Sequence, residues 1–188
     1  MESKSDFLIE KNELKKYTGT DEFVSLPENV TYIGYRAFKN CNALKSVYIT
    51  DNVTTIGDGA FDDTAFYKNQ NNWENGYLYI SNHLIKAKAK YSDNPEKYSV
   101  KIGTISIAED AFLCSELKEI TIPDSVTSIG SYAFGFCDFL EHITIPSSVT
   151  TIYENAFASC ESLKRVTINN GVKKYFLGHL ETVFLLLA

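Results

Sequence analysis

The sequence predicts a mostly β chain wound into a solenoid, in which short coils stack and their equivalent strands pair as a parallel sheet. Two observations predict it. The dipeptide Ala-Phe recurs at Ala37-Phe38, Ala60-Phe61, Ala111-Phe112, Ala133-Phe134 and Ala156-Phe157, stepping by 23, 51, 22 and 23 residues, so the long step holds one coil plus an insertion. The chain also carries 12 Tyr and 12 Phe against one Met and one Trp, a bias that suits the half-buried, pleated surface of strands. Residues 1–188 read as one domain.

Residues 1–21 carry no copy of the repeat. Phe7 to Tyr17 reads as two short strands around Lys11-Asn12. They form an N-terminal strand cap over a first coil that would otherwise expose its apolar interior and an unpaired edge.

Repeats occupy residues 22–172. Aligned on Ala-Phe, the segments starting at Asn29, Ser125 and Ser148 share the pattern V-T-x-I-G-x-x-A-F-x-x-C-x-x-L-x-x-V/I-x-I. Its second half recurs as Leu44/Val47/Ile49, Leu117/Ile120/Ile122, Leu140/Ile143/Ile145 and Leu163/Val166/Ile168. A single coil has only a thin apolar edge, but stacking at the strand spacing of about 4.8 Å merges Val, Ile, Ala, Phe, Cys and Leu into continuous columns. Period-2 alternation turns Val47 and Ile49 inward. The outward face is then Ser46, Tyr48, Thr50, Glu119, Thr121, His142, Thr144, Arg165 and Thr167. Short turns or 3-10 segments connect these strands. Gly57 and Gly130 follow the Ile of the motif, where the turn calls for an unusual φ. The pairs Thr54-Thr55, Thr127-Ser128 and Thr150-Thr151 read as hydrogen-bonded ladders between coils, the other reading being a glycan-contacting or glycosylated surface.

This pattern resembles the BspA-like class of leucine-rich repeats, common in surface proteins of gut and oral bacteria and of some parasitic protists. The resemblance implies a right-handed solenoid with a parallel sheet on its concave side, adhesion to host proteins or other cells, and an extracellular or cell-surface location, with a cytoplasmic one as the alternative.

Within the insertion, about residues 66–100, Tyr77 to Ile80, a Ser81-Asn82 turn and His83 to Ala87 read as a β-hairpin. Trp73, Tyr77 and Tyr79 are anchor candidates because aromatic residues dominate binding hot spots. The competing reading is that Trp73 packs the insertion down. Residues 173–188 leave the pattern, and Phe176, Leu180, Val183, Phe184 and Leu187 fit the stripe of a C-terminal capping helix, a stray tail being the alternative.

With 24 acidic and 18 basic residues the net charge is -6, and no basic run offers a grip for nucleic acid. The N-terminus lacks the apolar stretch of a secretory signal and Val183 to Ala188 is too short to span a bilayer, so the chain reads as a soluble monomer with no membrane insertion. Cys41, Cys114, Cys137 and Cys160 follow the Ala-Phe pair by two or three residues, with Thr64 in the slot of the second copy. There is no CxxC, and the repeat itself generates the spacing, so these read as a buried thiol ladder in preference to a zinc or redox site. Adjacent thiols such as Cys137 and Cys160 stack about one coil apart, a distance that does not exclude a disulfide. His83, His142 and His179 share no spacing, and outward His142 lies on a different face from the inward cysteines. No catalytic residue, metal or cofactor is predicted.

These readings converge on a protein-binding or adhesion module that presents its strand face to a host extracellular protein or another cell-surface protein. A structural spacer within a larger protein is the alternative, and an enzyme is disfavoured. Phe134 belongs to the thickest part of the core. Its replacement by Ala should cost about 3–5 kcal/mol in urea unfolding, and a loss below about 1 kcal/mol would remove it from the core.

Overall fold

The computed structural model describes residues 5–88, 97–175 and 184–187. Strands β1 (Phe7–Glu10) and β2 (Glu13–Tyr17) form an antiparallel hairpin, turned by Lys11 and Asn12 in left-handed backbone at φ 48° and 67°. The first two coils supply β3 (Phe23–Ser25), β4 (Tyr32–Ile33), β5 (Ser46–Tyr48) and β6 (Thr55–Ile56). The insertion holds α1 (Ala65–Lys68), a 3-10 turn (Gln70–Asn72), β7 (Trp73–Glu74), β8 (Tyr77–Ile80) and β9 (His83–Ala87). Then follow β10 (Lys97–Ser99), β11 (Ser106–Ile107), β12 (Glu119–Thr121), β13 (Ser128–Ile129), β14 (His142–Ile145), β15 (Thr151–Ile152), β16 (Arg165–Ile168), β17 (Lys174–Tyr175) and β18 (Phe184–Leu187). The result is a mostly β solenoid of about six turns with parallel pairing between coils.

Each coil therefore gives two strands to two columns. The short-strand column is split into the orders β1-β2-β4-β6 and β17-β15-β13-β11-β9-β8-β7. The longer LxxVxI strands pair as β3-β5, β10-β12 and β14-β16-β18. The hairpin of β8 and β9 has the expected strands and turn, and β9 also pairs in parallel with β11, His83 opposite Ser106. The insertion thus becomes the first level of the second half of the stack.

The Ala-Phe corner explains why the coils stay in register. The residue before Ala is left-handed in every copy, at Arg36, Gly59, Asp110, Tyr132 and Asn155, and so is the second residue after Phe, at Asn40, Asp63, Cys114, Phe136 and Ser159. These two bends swing the intervening peptides parallel to the stack. The Phe amide of one coil then donates to the Ala carbonyl of the next: Phe38 to Ala60 at 2.9 Å, Phe112 to Ala133 at 2.7 Å and Phe134 to Ala156 at 2.8 Å. Tyr17 and Ala87 make the same bond to Ala37 and Ala111, so each occupies the Phe slot of a capping level.

Behind this corner run two aromatic stacks. Phe7, Tyr17, Phe38 and Phe61 follow one another at centroid distances of 5.1, 5.6 and 5.1 Å. Tyr77 and Tyr98, stacked at 3.6 Å, head the second, which continues through Phe112, Phe134 and Phe157 at steps of 5.1 and 5.3 Å. All five Phe of the motif are buried. Their area and ring contacts are the main apolar contribution of each coil.

The two halves meet at a polar joint. Glu109 donates its amide to the Ile56 carbonyl and accepts from the Asp58 amide at 3.1 Å and the Tyr32 hydroxyl at 3.5 Å. The Thr55 and Tyr153 hydroxyls meet at 2.7 Å, and the Ser128 hydroxyl donates to the Thr54 carbonyl. Burial pushes the Glu109 carboxyl above its ordinary range.

Three expectations change. Gly57 and Gly130 have no positive φ; they are needed for close approach, since a Cβ would sit 2.7 Å from the Tyr35 amide nitrogen or 2.5 Å from that of Glu109. Phe184–Leu187 is a strand and not a helix, paired in parallel with β16 from Arg165 opposite Phe184 to Ile168 opposite Leu187. The free edge of β16 satisfies backbone groups along all four residues, which outweighs a helical spacing. Phe176, Leu180 and Val183 lie outside the described residues. Finally, Ser115 is buried in the slot filled by Cys41, Cys137 and Cys160 in their coils, while Cys114, one residue earlier, is exposed.

Removing the Glu109 acceptor strands the Asp58 amide at the joint. Glu109→Ala should lower stability by about 1–2 kcal/mol in urea unfolding, and a change within about 0.5 kcal/mol would show that the joint carries no weight.

Candidate functional site

The outer strand face forms largely as the alternation predicts. Ser46, Tyr48, Glu119, Thr121, His142, Thr144 and Arg165 are exposed, and Thr167 is half-buried. Thr50 is not on this face. It is only 5% exposed because β5 ends at Tyr48 and the chain then turns, the Val53 amide donating to the Thr50 carbonyl at 3.1 Å. Pro27, Pro123 and Pro146 accept the same bond from Val30, Val126 and Val149 in other coils. Thr50 is thus a turn residue that faces inward.

A groove of about 700 Å³ opens on this face between β12 and β14, lined among others by Glu119, Thr121, His142 and Thr144. Its origin lies in the one short step of the repeat. Five residues separate Phe112 from Leu117, against six from Phe134 to Leu140. In the full-length coils the Leu amide closes a turn onto the Cys carbonyl, from Leu44 to Cys41, Leu140 to Cys137 and Leu163 to Cys160. In the short coil Leu117 donates to the Ser115 hydroxyl instead, at 3.3 Å. A strand delivered from a turn one residue shorter cannot keep the offset of its neighbour. Among the described residues no ladder joins β12 to β14, although β12 pairs with β10 and β14 with β16.

The floor of the groove is apolar, from Ile120, Ile122 and Ile143, and its rim is charged. Lys97 pairs with Glu119 at 2.7 Å, and Lys164 with Glu141 at 2.8 Å. The Lys164 hydrogen bond and charge hold the Glu141 carboxyl below its ordinary range. His142 Nε2 lies 3.9 Å from Glu141. Lys97, Lys118, Asp124, Glu141 and Asn169 also line the groove; alternation missed Lys118, Asp124, Glu141 and Asn169 because they lie outside the strands, and Lys97 because it heads β10, a strand that the repeat pattern does not mark. The 22-residue step from Ala111 to Ala133 was the signal that could have located the groove.

Ser46, Tyr48, Arg165 and Thr167 lie outside the groove lining, as do Trp73, Tyr77 and Tyr79. The insertion aromatics are half-buried and engaged in packing. Trp73 donates its indole N–H to the Tyr67 carbonyl at 2.8 Å and meets the Tyr67 ring edge-on. Tyr77 stacks on Tyr98, and the Tyr79 and Tyr98 hydroxyls meet at 2.6 Å. The paired threonines do form ladders: Thr54, Thr127 and Thr150 hydroxyls donate to the Thr31, Ile105 and Thr127 carbonyls.

His83 is fully buried in the Ser/Thr column, with Nδ1 2.8 Å from the Ser106 hydroxyl. Its Nε2 has no hydrogen-bond partner among the described residues, and Asp51 is the carboxylate that acts on it. Among those residues no group of three or more His, Cys, Asp or Glu could hold a metal ion, and no helix is long and apolar enough to cross a membrane.

Coils of a single period, each with an LxxVxI strand and an inward Ala-Phe corner, define a leucine-rich-repeat solenoid. The chain belongs to the BspA-type leucine-rich repeat family, whose model matches residues 9–84 and 83–179 in six copies. A leucine-rich repeat protein from Bacteroides capillosus is similar at 22% identity and TM-score 0.51, over 60% of this chain and 99% of its own. The pneumococcal vaccine antigen PcpA is similar at 21% identity and TM-score 0.51, over 88% of this chain and 49% of its own. A leucine rich cell surface protein from Faecalibacterium prausnitzii aligns at 23% identity and TM-score 0.39, over 82% of this chain and 59% of its own. The chain therefore spans about half of PcpA and under two thirds of the Faecalibacterium protein, and the likeness is one of fold. No curated protein sequence matches the chain.

Burial lowers the His83 pKa from 6.5 to about 4. The ring stays neutral in the fold but takes up a proton in the unfolded chain, so stability is full above pH 6.5 and falls as pH drops toward 4. Between pH 7 and pH 4.5 the wild type should lose about 2 kcal/mol more than His83→Ser, measured by urea unfolding. Parallel losses in the two proteins would mean that His83 is not desolvated.

Proposed function

We propose that the chain is a protein-recognition module of the adhesion type, acting outside the cell, and that its contact surface centres on the groove between β12 and β14. The family to which it belongs is generally one of protein-interaction modules. The observation that carries the reading is the coincidence of two independent features. The strand face presents one variable side chain per coil, and the break in strand pairing between β12 and β14 cuts a cleft into that same face. An apolar floor under a charged rim is the arrangement of a protein contact, in which a buried centre supplies affinity and the rim excludes water and sets register. The mixture of Lys97, Lys118, Glu119, Asp124 and Glu141 on the rim favours a partner of mixed charge over a polyanion.

A panel of host extracellular-matrix and cell-surface proteins, captured on the immobilised chain, tests this. Thr121→Lys with Thr144→Lys fills the groove with two charges and should cut capture at least about tenfold at unchanged melting temperature. Tyr48→Lys, outside the groove, should leave capture within about twofold. Equal capture by wild type and the groove variant would overturn the site. Absence of capture by any panel member would favour the spacer reading.

A further inference from the structure

We infer that Cys137 and Cys160 form a redox site: two stacked thiols that close into a reversible disulfide linking consecutive coils. They occupy the same slot, 23 residues apart, and their thiols make the same bond to the coil before. The Cys137 thiol donates to the Phe112 carbonyl at 3.2 Å and the Cys160 thiol to the Phe134 carbonyl at 2.9 Å, in each case the Phe of the preceding coil. The Phe134 and Phe136 amides donate to the Ala156 and Ala158 carbonyls, both at 2.8 Å. These bonds hold the two coils one strand spacing apart, about 4.8 Å, inside the Cα window of about 4.4–6.8 Å that a disulfide spans.

Access is graded. Cys137 is fully buried and Cys160 is half-buried, so an external oxidant reaches Cys160 first. The Cys160 thiolate attacks one sulfur of a small disulfide such as oxidised glutathione, giving a mixed disulfide and releasing one glutathione thiolate. Cys137 then attacks the Cys160 sulfur, forming the cross-coil bond and expelling the second glutathione. Two protein thiols are oxidised, one external disulfide is reduced, and the two protons pass to the two glutathione thiols. Burial pushes the Cys160 thiol up to about 11 and the Cys137 thiol higher still, so the exchange is slow at neutral pH and accelerates as pH rises.

Closure also draws the two Cβ atoms from coil spacing toward the disulfide mean of about 3.8 Å. A bond closed against the stacking of its coils is readily reduced. That behaviour suits a reversible modification, and it would stiffen the wall of the groove that carries β14 and β16. Cys114 is exposed but one residue out of the slot, and Cys41 stands in the first half of the stack.

The test uses the full chain with Cys114→Ser, which removes the exposed competitor and leaves three thiols. Incubation of the folded protein with oxidised glutathione should lower the thiol count from about three to about one, release a non-reduced peptide joining Cys137 to Cys160, and raise the melting temperature by about 5 °C. Excess reduced glutathione should restore all three thiols. With Cys160→Ser added, a change the buried Ser115 shows the slot can accept, the count should stay at two. Retention of three thiols in the Cys114→Ser protein, glutathione adducts without a peptide link, or a link that joins two chains would each overturn the inference.

Discussion

Everything in this molecule depends on one repeated constraint, the stacking of the Ala-Phe corner. Two left-handed residues flank each corner and turn its peptides along the stack, so that the Phe amide can reach the Ala carbonyl of the next coil. Ala is small enough for that approach, and Phe fills the space the turn opens behind it. Neither part works alone. A corner without the aromatic column leaves a void between coils, and a column without the corner bond has no register. The cost of holding residues as large as Tyr132 and Phe136 in left-handed backbone is met because both neighbours in the stack over-determine the turn.

The same constraint explains the two places where the solenoid departs from uniformity. After Phe61 the insertion supplies no Phe for the next level, and Tyr77 and Tyr98 begin a second aromatic stack in its place. The halves are then joined by Glu109, Tyr153 and Ser128, polar groups that no repeat position prescribes. In the coil after the insertion the corner is kept but the turn beyond it is one residue short. The corner bonds persist there while the strand ladder lapses, which leaves the groove. The groove thus arises from a one-residue deletion in a coil whose corner contacts hold their register.

Much of this was legible in the sequence because repetition converts single residues into columns. The hairpin of β8 and β9, the buried Phe column and the outward placement of Glu119, Thr121, His142 and Thr144 follow from period and alternation. What could not be read depends on where alternation stops or on contacts distant in sequence. Thr50 continues the apparent alternation of β5, yet the chain has already turned, a fact visible only when Thr50 is aligned with Pro27, Pro123 and Pro146. Leu187 fits a helical stripe just as well as a strand, and the open edge of β16 decides between them. The split between Cys114 and Ser115 turns on a one-residue offset that a motif written with flexible spacing hides.

The central claim is that the short coil uncouples β12 from β14 while the ladders on either side, β10 with β12 and β14 with β16, stay paired. Thr144 and Thr167 occupy the same slot in successive coils, opposite one another in the ladder between β14 and β16. Residue-resolved amide hydrogen exchange on the folded protein compares them directly. Thr167, whose strand pairs back onto β14, should be protected at least about tenfold more strongly than Thr144, whose strand faces the groove. Equal protection at the two sites would mean that β12 and β14 are paired as β14 and β16 are, and that the groove is not a property of the fold.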